Sequence, residues 1–374
     1  MQFEFFLPTY IFFGKSSLNR IQDIVRRFSS RRILIVTGKS SSYKSGNLDK
    51  LLNLLKAFSC FVFNNISPNP DAEIIDRGVQ YTIQRRIELI IGLGGGSALD
   101  AAKSIALMTT QKFSTQAAFQ KKGKYFKKGL PYIAIPTTAG SGGEVTKWAS
   151  IWDHEVKKKQ SLDHPFMYPS YSIIDPTLML NTPKRITAVT ALDALCHAIE
   201  AFWSKKANPI SDEFAQQAAC LIVKNLPLAI KYPGTFKYRD ALSRASLFAG
   251  LAFSQTKSTA CHAISYPLTA YYKVPHGLAC AISLPHLYEF NRAAIQDKAV
   301  KIAEWFKCNS VEMGSSSIAN FIKNLNLPLY LSEMNVKIDS IQKVFQYSLR
   351  SDQIKNNPRK ISKENLYKIV KRIQ

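Results

Sequence analysis

The chain has 374 residues, of which 46% are hydrophobic, 20% charged and 11% aromatic. That is enough apolar material for two cores, and it excludes global disorder. Lysine and arginine number 50 against 26 acidic residues, a formal net charge of +24 that admits a nucleic-acid or membrane-surface reading.

Residues 1–14 (MQFEFFLPTYIFFG) carry Glu4, Pro8 and no lysine or arginine, so no secretion signal is expected there. Residues 32–37 (RILIVT), 60–63, 88–93 (ELIIGL), 132–136 (YIAIP) and 171–174 read as strands, and their near-continuous apolar character predicts burial on both faces. Residues 18–28, 45–58, 72–86 and 97–108 read as helices between them, and the alternation predicts a parallel α/β sheet. The stretch 89–108 is broken by four glycines, Asp100 and Lys103, so no bilayer span is expected in it. Beyond Asp175 and Pro176 the apolar residues follow the helical period, over 186–203, 209–226, 238–253 and 318–325. The expectation is a Rossmann-like α/β domain over residues 1–180 and an all-helical domain over 181–374. Two lysine-rich pieces, 121–128 and 355–372, read as a solvated loop and a solvated helix face. Six scattered cysteines without a CxxC pair suggest neither a disulfide scaffold nor a zinc knuckle, and fit a reducing cytoplasm.

Three motifs carry chemistry. GLGGGSALDAAK (92–103) follows an apolar strand and opens a helix, so its glycines let backbone amides meet a diphosphate, although a tight strand-to-helix turn would use them equally. IPTTAGSGGEVT (135–146) offers the hydroxyls of Thr137, Thr138 and Ser141 among glycines, more donors than a structural loop needs. Asp193 and His197 stand four apart in TALDALCHAIEAF, one turn apart on one helix face, and His262 and His276 come from later apolar segments. One carboxylate and three imidazoles suit Fe²⁺, Zn²⁺, Ni²⁺ or Co²⁺, while each histidine alone would serve as a core residue.

At these residues the chain resembles the iron-containing (group III) alcohol dehydrogenase family, in order from Pro8 to the C-terminal NPRKISKENLYKIV, through SPNP, DP, ALDALCHAIEAF and VPHG. The resemblance implies an N-terminal dinucleotide-binding domain and a C-terminal metal domain, acting in hydride transfer between NAD(P)(H) and a small alcohol or aldehyde. Asp193, His197, His262 and His276 match the metal ligands. Gly95, Gly96 and Ser97 match the pyrophosphate loop, Asn69, Thr137, Thr138, Ser141 and Lys159 match further cofactor contacts, and Asp100 matches a residue close to the nicotinamide. Metal identity is expected to be Fe²⁺, with Zn²⁺ as its competitor by affinity order.

Departures from the family pattern refine the expectation. Where many members place an acid after RILIVT, this chain has Gly38, then Lys39, Ser40, Ser41 and Ser42, which favours NADP(H) over NAD(H) because no carboxylate repels a 2′-phosphate. One turn after His262, where many members have a further histidine, stands Tyr266, a weaker acid than an imidazolium, counted here with the catalytic residues. HAISYPLT, ASIWD and KKKQSLDHPFMYP resemble most the branch that reduces phosphonoacetaldehyde, with Lys147 as the cation for an anionic substrate. The glycerol dehydrogenase and dehydroquinate synthase branches are the enzyme alternatives. A nucleic-acid partner is not expected, because the basic residues are spread and no binding motif appears. A homodimer is expected through the N-terminal strand, with Phe3, Phe5, Phe6, Phe12 and Phe13 as its apolar edge.

Overall fold

A computed structural model of the chain describes residues 2–121, 124–153, 158–336 and 341–374. Two compact units emerge: Phe6–Thr182, and Pro183–Gln374 together with the residues up to Phe5.

The first unit contains strands β1 (Tyr10–Phe13), β2 (Arg32–Gly38), β3 (Ser59–Ile66), β4 (Leu89–Gly94), β5 (Tyr132–Pro136), β6 (Trp148–Asp153), β7 (Lys158–Asp163) and β8 (Tyr171–Ile174). Six of them form one parallel sheet in the order β1-β8-β5-β4-β2-β3. The apolar runs are divided by the period-2 alternation of a strand. Leu34, Val36, Ile90 and Ala134 enter a core on one face with Ile75, Leu99 and Ile105. Ile33, Ile35, Leu89, Ile91, Ile133 and Ile135 enter a core on the other face with Leu18, Ile21 and Leu51. Each such fully buried Leu or Ile contributes about 1.5–3 kcal/mol, which is why both faces stay covered by helices.

The N-terminal strand implied by the family resemblance is β1, an edge strand whose aromatic run YIFF stays partly exposed. One feature was not among the expected elements. β6 and β7 pair antiparallel as a separate two-stranded ribbon, Trp148 opposite Asp163, and β7 is too polar (KKQSLD) to show a core-facing stripe. Of the lysine-rich piece 121–128, Lys121 ends the helix Thr115–Lys121, and residues 122 and 123 lie outside the described residues.

The second unit is built on helices Lys184–Trp203, Pro209–Lys231, Phe236–Thr256, Ala260–Tyr272, His276–Ala281 and Leu284–Ile295, with further helices toward the C-terminus. Pro209–Lys231 starts at a capping box between Asn208 and Ser211 and continues past Pro227, where the sequence suggested a stop. Lys184–Trp203 is long and apolar enough to cross a bilayer, but 89% of its apolar window is buried inside the protein, as in a core helix. It nevertheless carries Asp193, His197 and Glu200, all buried. Ionisable groups buried on an apolar helix need partners.

Candidate metal centre and nucleotide loops

Asp193, His197 and Glu200 follow one another at four- and three-residue spacing and so share one face of Lys184–Trp203. His262 lies in the first turn of Ala260–Tyr272, and His276 is the first residue of His276–Ala281. Gly277 brings the last of these in: a Cβ there would lie 2.0 Å from the Val189 carbonyl oxygen and 2.9 Å from Asp193 Cβ, so only glycine permits this helix contact.

His262 Nε2 stands 3.6 Å from Asp193 Oδ1, and His276 Nε2 3.9 Å from the same oxygen. The opposite ring nitrogens are occupied. His262 Nδ1 bonds Glu200 Oε2. The Ser265 hydroxyl donates to the His262 carbonyl at 2.8 Å and stands 3.3 Å from His276 Nδ1, whose proton it can accept. The hydrogen-bond network therefore assigns both protons to Nδ1 and turns both Nε2 lone pairs toward Asp193. Glu200 Oε1 in turn accepts from Thr259 N (3.0 Å), Thr259 Oγ1 (2.6 Å) and Cys261 N (2.8 Å).

Burial alone would raise the Asp193 carboxyl, but His197, His276 and His262 together hold it well below the ordinary carboxylate range. Burial likewise opposes ionisation of Glu200, and the attraction and hydrogen bonds of His262 and Thr259 overcome it. Asp193 Oδ1 and His262 Nε2 are buried without a hydrogen-bond partner. Two buried polar atoms converge here, and in the absence of an ion their pairing requires a proton on His262; a divalent cation takes the place of that proton, and the donor set fits a divalent metal ion. Asp193, His262, His276 and Cys280 form one donor group, whose candidate ligand atoms lie within 4.8 Å of one another. His197 sits beside this group with its ring stacked on His262 (centroids 4.3 Å apart) and on Phe253 (4.0 Å). Tyr266 stacks on the His276 ring at 5.8 Å, and its hydroxyl accepts from Gln353 Nε2 at 3.5 Å. Sequence reasoning passed over Glu200, Ser265, Cys280 and Gln353. Glu200 alone carried a visible signal, its spacing from Asp193 on an apolar helix.

In the α/β unit, β4 ends at Gly94 with φ +153°, a conformation that L side chains rarely adopt. Gly95 then caps the helix Gly96–Met108 without a side-chain hydrogen bond, and the first turn holds no acid, which suits an anion. Asn69 N donates to Ser97 Oγ at 3.2 Å and Thr137 N to the Gly94 carbonyl at 2.9 Å, so three separate motifs meet at this helix start. Thr137, Thr138 and Ser141 stay partly exposed beside Gly95 and Gly96. Asp100 Oδ2 accepts from Ser150 N of β6 at 2.9 Å; burial raises its carboxyl, against the charges of Lys103 and Lys159.

Lys103 anchors the hydroxyl loop from below. Its buried ammonium donates to the carbonyls of Gly143 (2.9 Å), Thr146 (2.8 Å) and Trp148 (2.9 Å). Burial lowers its pKa to about 8 and raises that of nearby Glu144 to about 7. At the end of β2, Gly38 is followed by exposed Lys39, Ser40 and Ser41. Ser42 corrects the expectation of three available hydroxyls: it is buried, and its Oγ lies 2.6 Å from Thr37 Oγ1. Lys147 stands at the foot of the β6–β7 ribbon, its carbonyl accepting from His164 N at 3.0 Å.

Residues 8–176 match the profile of iron-containing alcohol dehydrogenases, and residues 187–374 match that of the C-terminal part of the Fe-containing alcohol dehydrogenase family. A 1,3-propanediol dehydrogenase of Citrobacter freundii is 31% identical over 99% of this chain and 98% of its own length. An NADPH-dependent butanol dehydrogenase of Clostridium saccharobutylicum is 30% identical over 98% and 96%. The crystal structure of sulfoacetaldehyde reductase from Bifidobacterium kashiwanohense in complex with NAD⁺ superposes with a TM-score of 0.91 at 32% identity, covering 100% of this chain and 99% of that one.

Proposed function

The chain belongs to the iron-containing alcohol dehydrogenase family and is an NAD(P)-dependent oxidoreductase acting on CH–OH donors, and from that premise we propose that it reduces small anionic aldehydes, phosphonoacetaldehyde among them, preferentially with NADPH. The observation that carries the catalytic reading is the convergence of Asp193 Oδ1, His262 Nε2 and His276 Nε2. Asp193, His197, His262 and His276 would hold the metal, Fe²⁺ with Zn²⁺ as competitor. When bound, the metal supplies Lewis-acid polarisation of the substrate oxygen, and the nicotinamide supplies the hydride.

The chain's own residues hold and orient. Glu200 and Ser265 fix the tautomers of His262 and His276. The first-turn amides after Gly95, together with Gly96 and Ser97, receive the diphosphate, Asn69, Thr137, Thr138, Ser141 and Lys159 make further contacts with the cofactor, and Asp100 borders the nicotinamide. Tyr266, stacked on His276, donates the proton that completes the product hydroxyl. The α/β unit serves as the dinucleotide-binding domain and the helical unit as the metal domain.

The cofactor preference is supported by Gly38, which leaves no carboxylate at the end of β2, and by exposed Lys39 and Ser40 beside it. The substrate class is supported by the branch resemblance, by Lys147 and by the sulfoacetaldehyde reductase relative. A second reading, a neutral short-chain alcohol, is supported by the propanediol and butanol dehydrogenase relatives. Anaerobic Fe²⁺-loaded enzyme, assayed with both dinucleotides on phosphonoacetaldehyde, sulfoacetaldehyde, propanal and butanal, separates them. The expected result is kcat/KM at least about tenfold higher with NADPH and with the anionic aldehydes. Equal values for NADH overturn the cofactor preference, and equal values for propanal overturn the substrate class.

Six free cysteines support a reducing, cytoplasmic setting. A homodimer through β1 is supported by that strand's position at the sheet edge, with Tyr10 66% exposed, and is tested by sedimentation velocity.

A further inference from the structure

Cys280 stands one turn beyond His276 on the same short helix and is fully buried. A buried thiol in an apolar setting is a small packing residue. The setting here is different. Its Sγ belongs to the donor group with Asp193, His262 and His276, all within 4.8 Å of one another. Independently, His262 Nε2 is buried, lacks a hydrogen-bond partner and faces Asp193 Oδ1, so an unpartnered ring nitrogen is already aimed into the space that the sulfur borders.

We propose that Cys280 is a sulfur donor to the metal centre, an addition to the nitrogen and oxygen ligands that rests on the metal reading above. Coordination transfers the thiol proton to buffer and forms one metal–sulfur bond, with nothing oxidised or reduced. A soft donor next to imidazoles and one carboxylate biases the site toward Zn²⁺ and Co²⁺ relative to Fe²⁺. Cys280 is thus a residue that tunes which ion the enzyme carries.

The test uses the full chain, freed of metal by chelation and titrated anaerobically with Co²⁺, with Cys280→Ser, Cys280→Ala and the exposed-cysteine control Cys220→Ser alongside. The expected result is a thiolate-to-cobalt charge-transfer band in wild type and in Cys220→Ser that both Cys280 variants lose, while their visible d–d bands persist. Zn²⁺ affinity, read by chelator competition, falls about tenfold or more in the Cys280 variants, and Fe²⁺ affinity falls less. Visible bands without charge transfer in wild type, or a charge-transfer band surviving in either Cys280 variant, overturn the sulfur ligand and leave the metal site standing. Wild type with no visible bands overturns the metal site itself, and the sulfur ligand with it.

Discussion

At the residue scale, Glu200 governs the centre without belonging to the expected ligand set. One carboxylate oxygen holds His262 Nδ1, and the other accepts from Thr259 and Cys261. Glu200→Ala releases the His262 tautomer and leaves buried donors unpaired, so metal affinity is expected to fall about 10- to 100-fold, with activity partly restored at saturating Fe²⁺. Chelator competition measures the first and metal titration the second; unchanged affinity would show that His262 is oriented by packing alone. Tyr266→Phe removes only the hydroxyl of a ring stacked on His276, and aldehyde reduction is expected to slow about 100-fold or more at constant metal content. Unchanged reduction rates would take Tyr266 off the proton path. Asp193 and His197 were legible because their spacing is local and chemically unusual. Ser265 and Cys280 were not, since a serine or cysteine acquires its role only when another helix folds against it.

Elements are set by contacts that a local reading cannot see. Gly277 enters the sequence reading only as the last residue of VPHG, yet the Val189 carbonyl 2.0 Å from its missing Cβ makes it the joint between two ligand-bearing helices. Gly277→Ala pushes against backbone that cannot rotate away, and is expected to destabilise by about 1–3 kcal/mol and to weaken metal binding through displacement of His276. Calorimetry paired with metal titration checks both, and a variant with wild-type stability and affinity would place the helices further apart. Lys103, by contrast, read as an interruption of an apolar stretch, and it proves to be the buried cation that gathers three loop carbonyls. The β6–β7 ribbon escaped notice because its second strand is polar, so it carries no core-facing pattern to count.

On the scale of the whole molecule, all four expected metal ligands lie in the helical unit, and all the expected cofactor residues lie in the α/β unit. The parallel sheet was readable because its strands are apolar on both faces; the route by which two later helices return His262 and His276 to Asp193 was not, because no spacing encodes it. Each ligand should therefore protect its own unit. Metal removal is expected to raise hydrogen exchange over Pro183–Gln374, NADPH is expected to lower it over Phe6–Thr182, and both effects should stand when applied together. Global stability should also vary with pH. An unfolded Glu144 loses its proton near 4.5, whereas burial keeps it on to about 7 in the folded chain, despite the charge of Lys103. The folded state binds the proton more tightly, so stability from this group falls as pH rises between those values, by on the order of 3 kcal/mol. Glu144→Gln should flatten that slope in denaturant titrations; an unchanged slope would place the transition on another group.

The triple contact of Glu200 also furnishes a built-in gauge. The amide protons of Thr259 and Cys261 are locked by the same carboxylate that steadies His262. Their solvent-exchange lifetimes therefore time the opening of the centre itself. If that opening must expel the ion, loading with metal at 100 times Kd should lengthen both lifetimes about 100-fold, residue by residue, in an NMR experiment that needs no substrate.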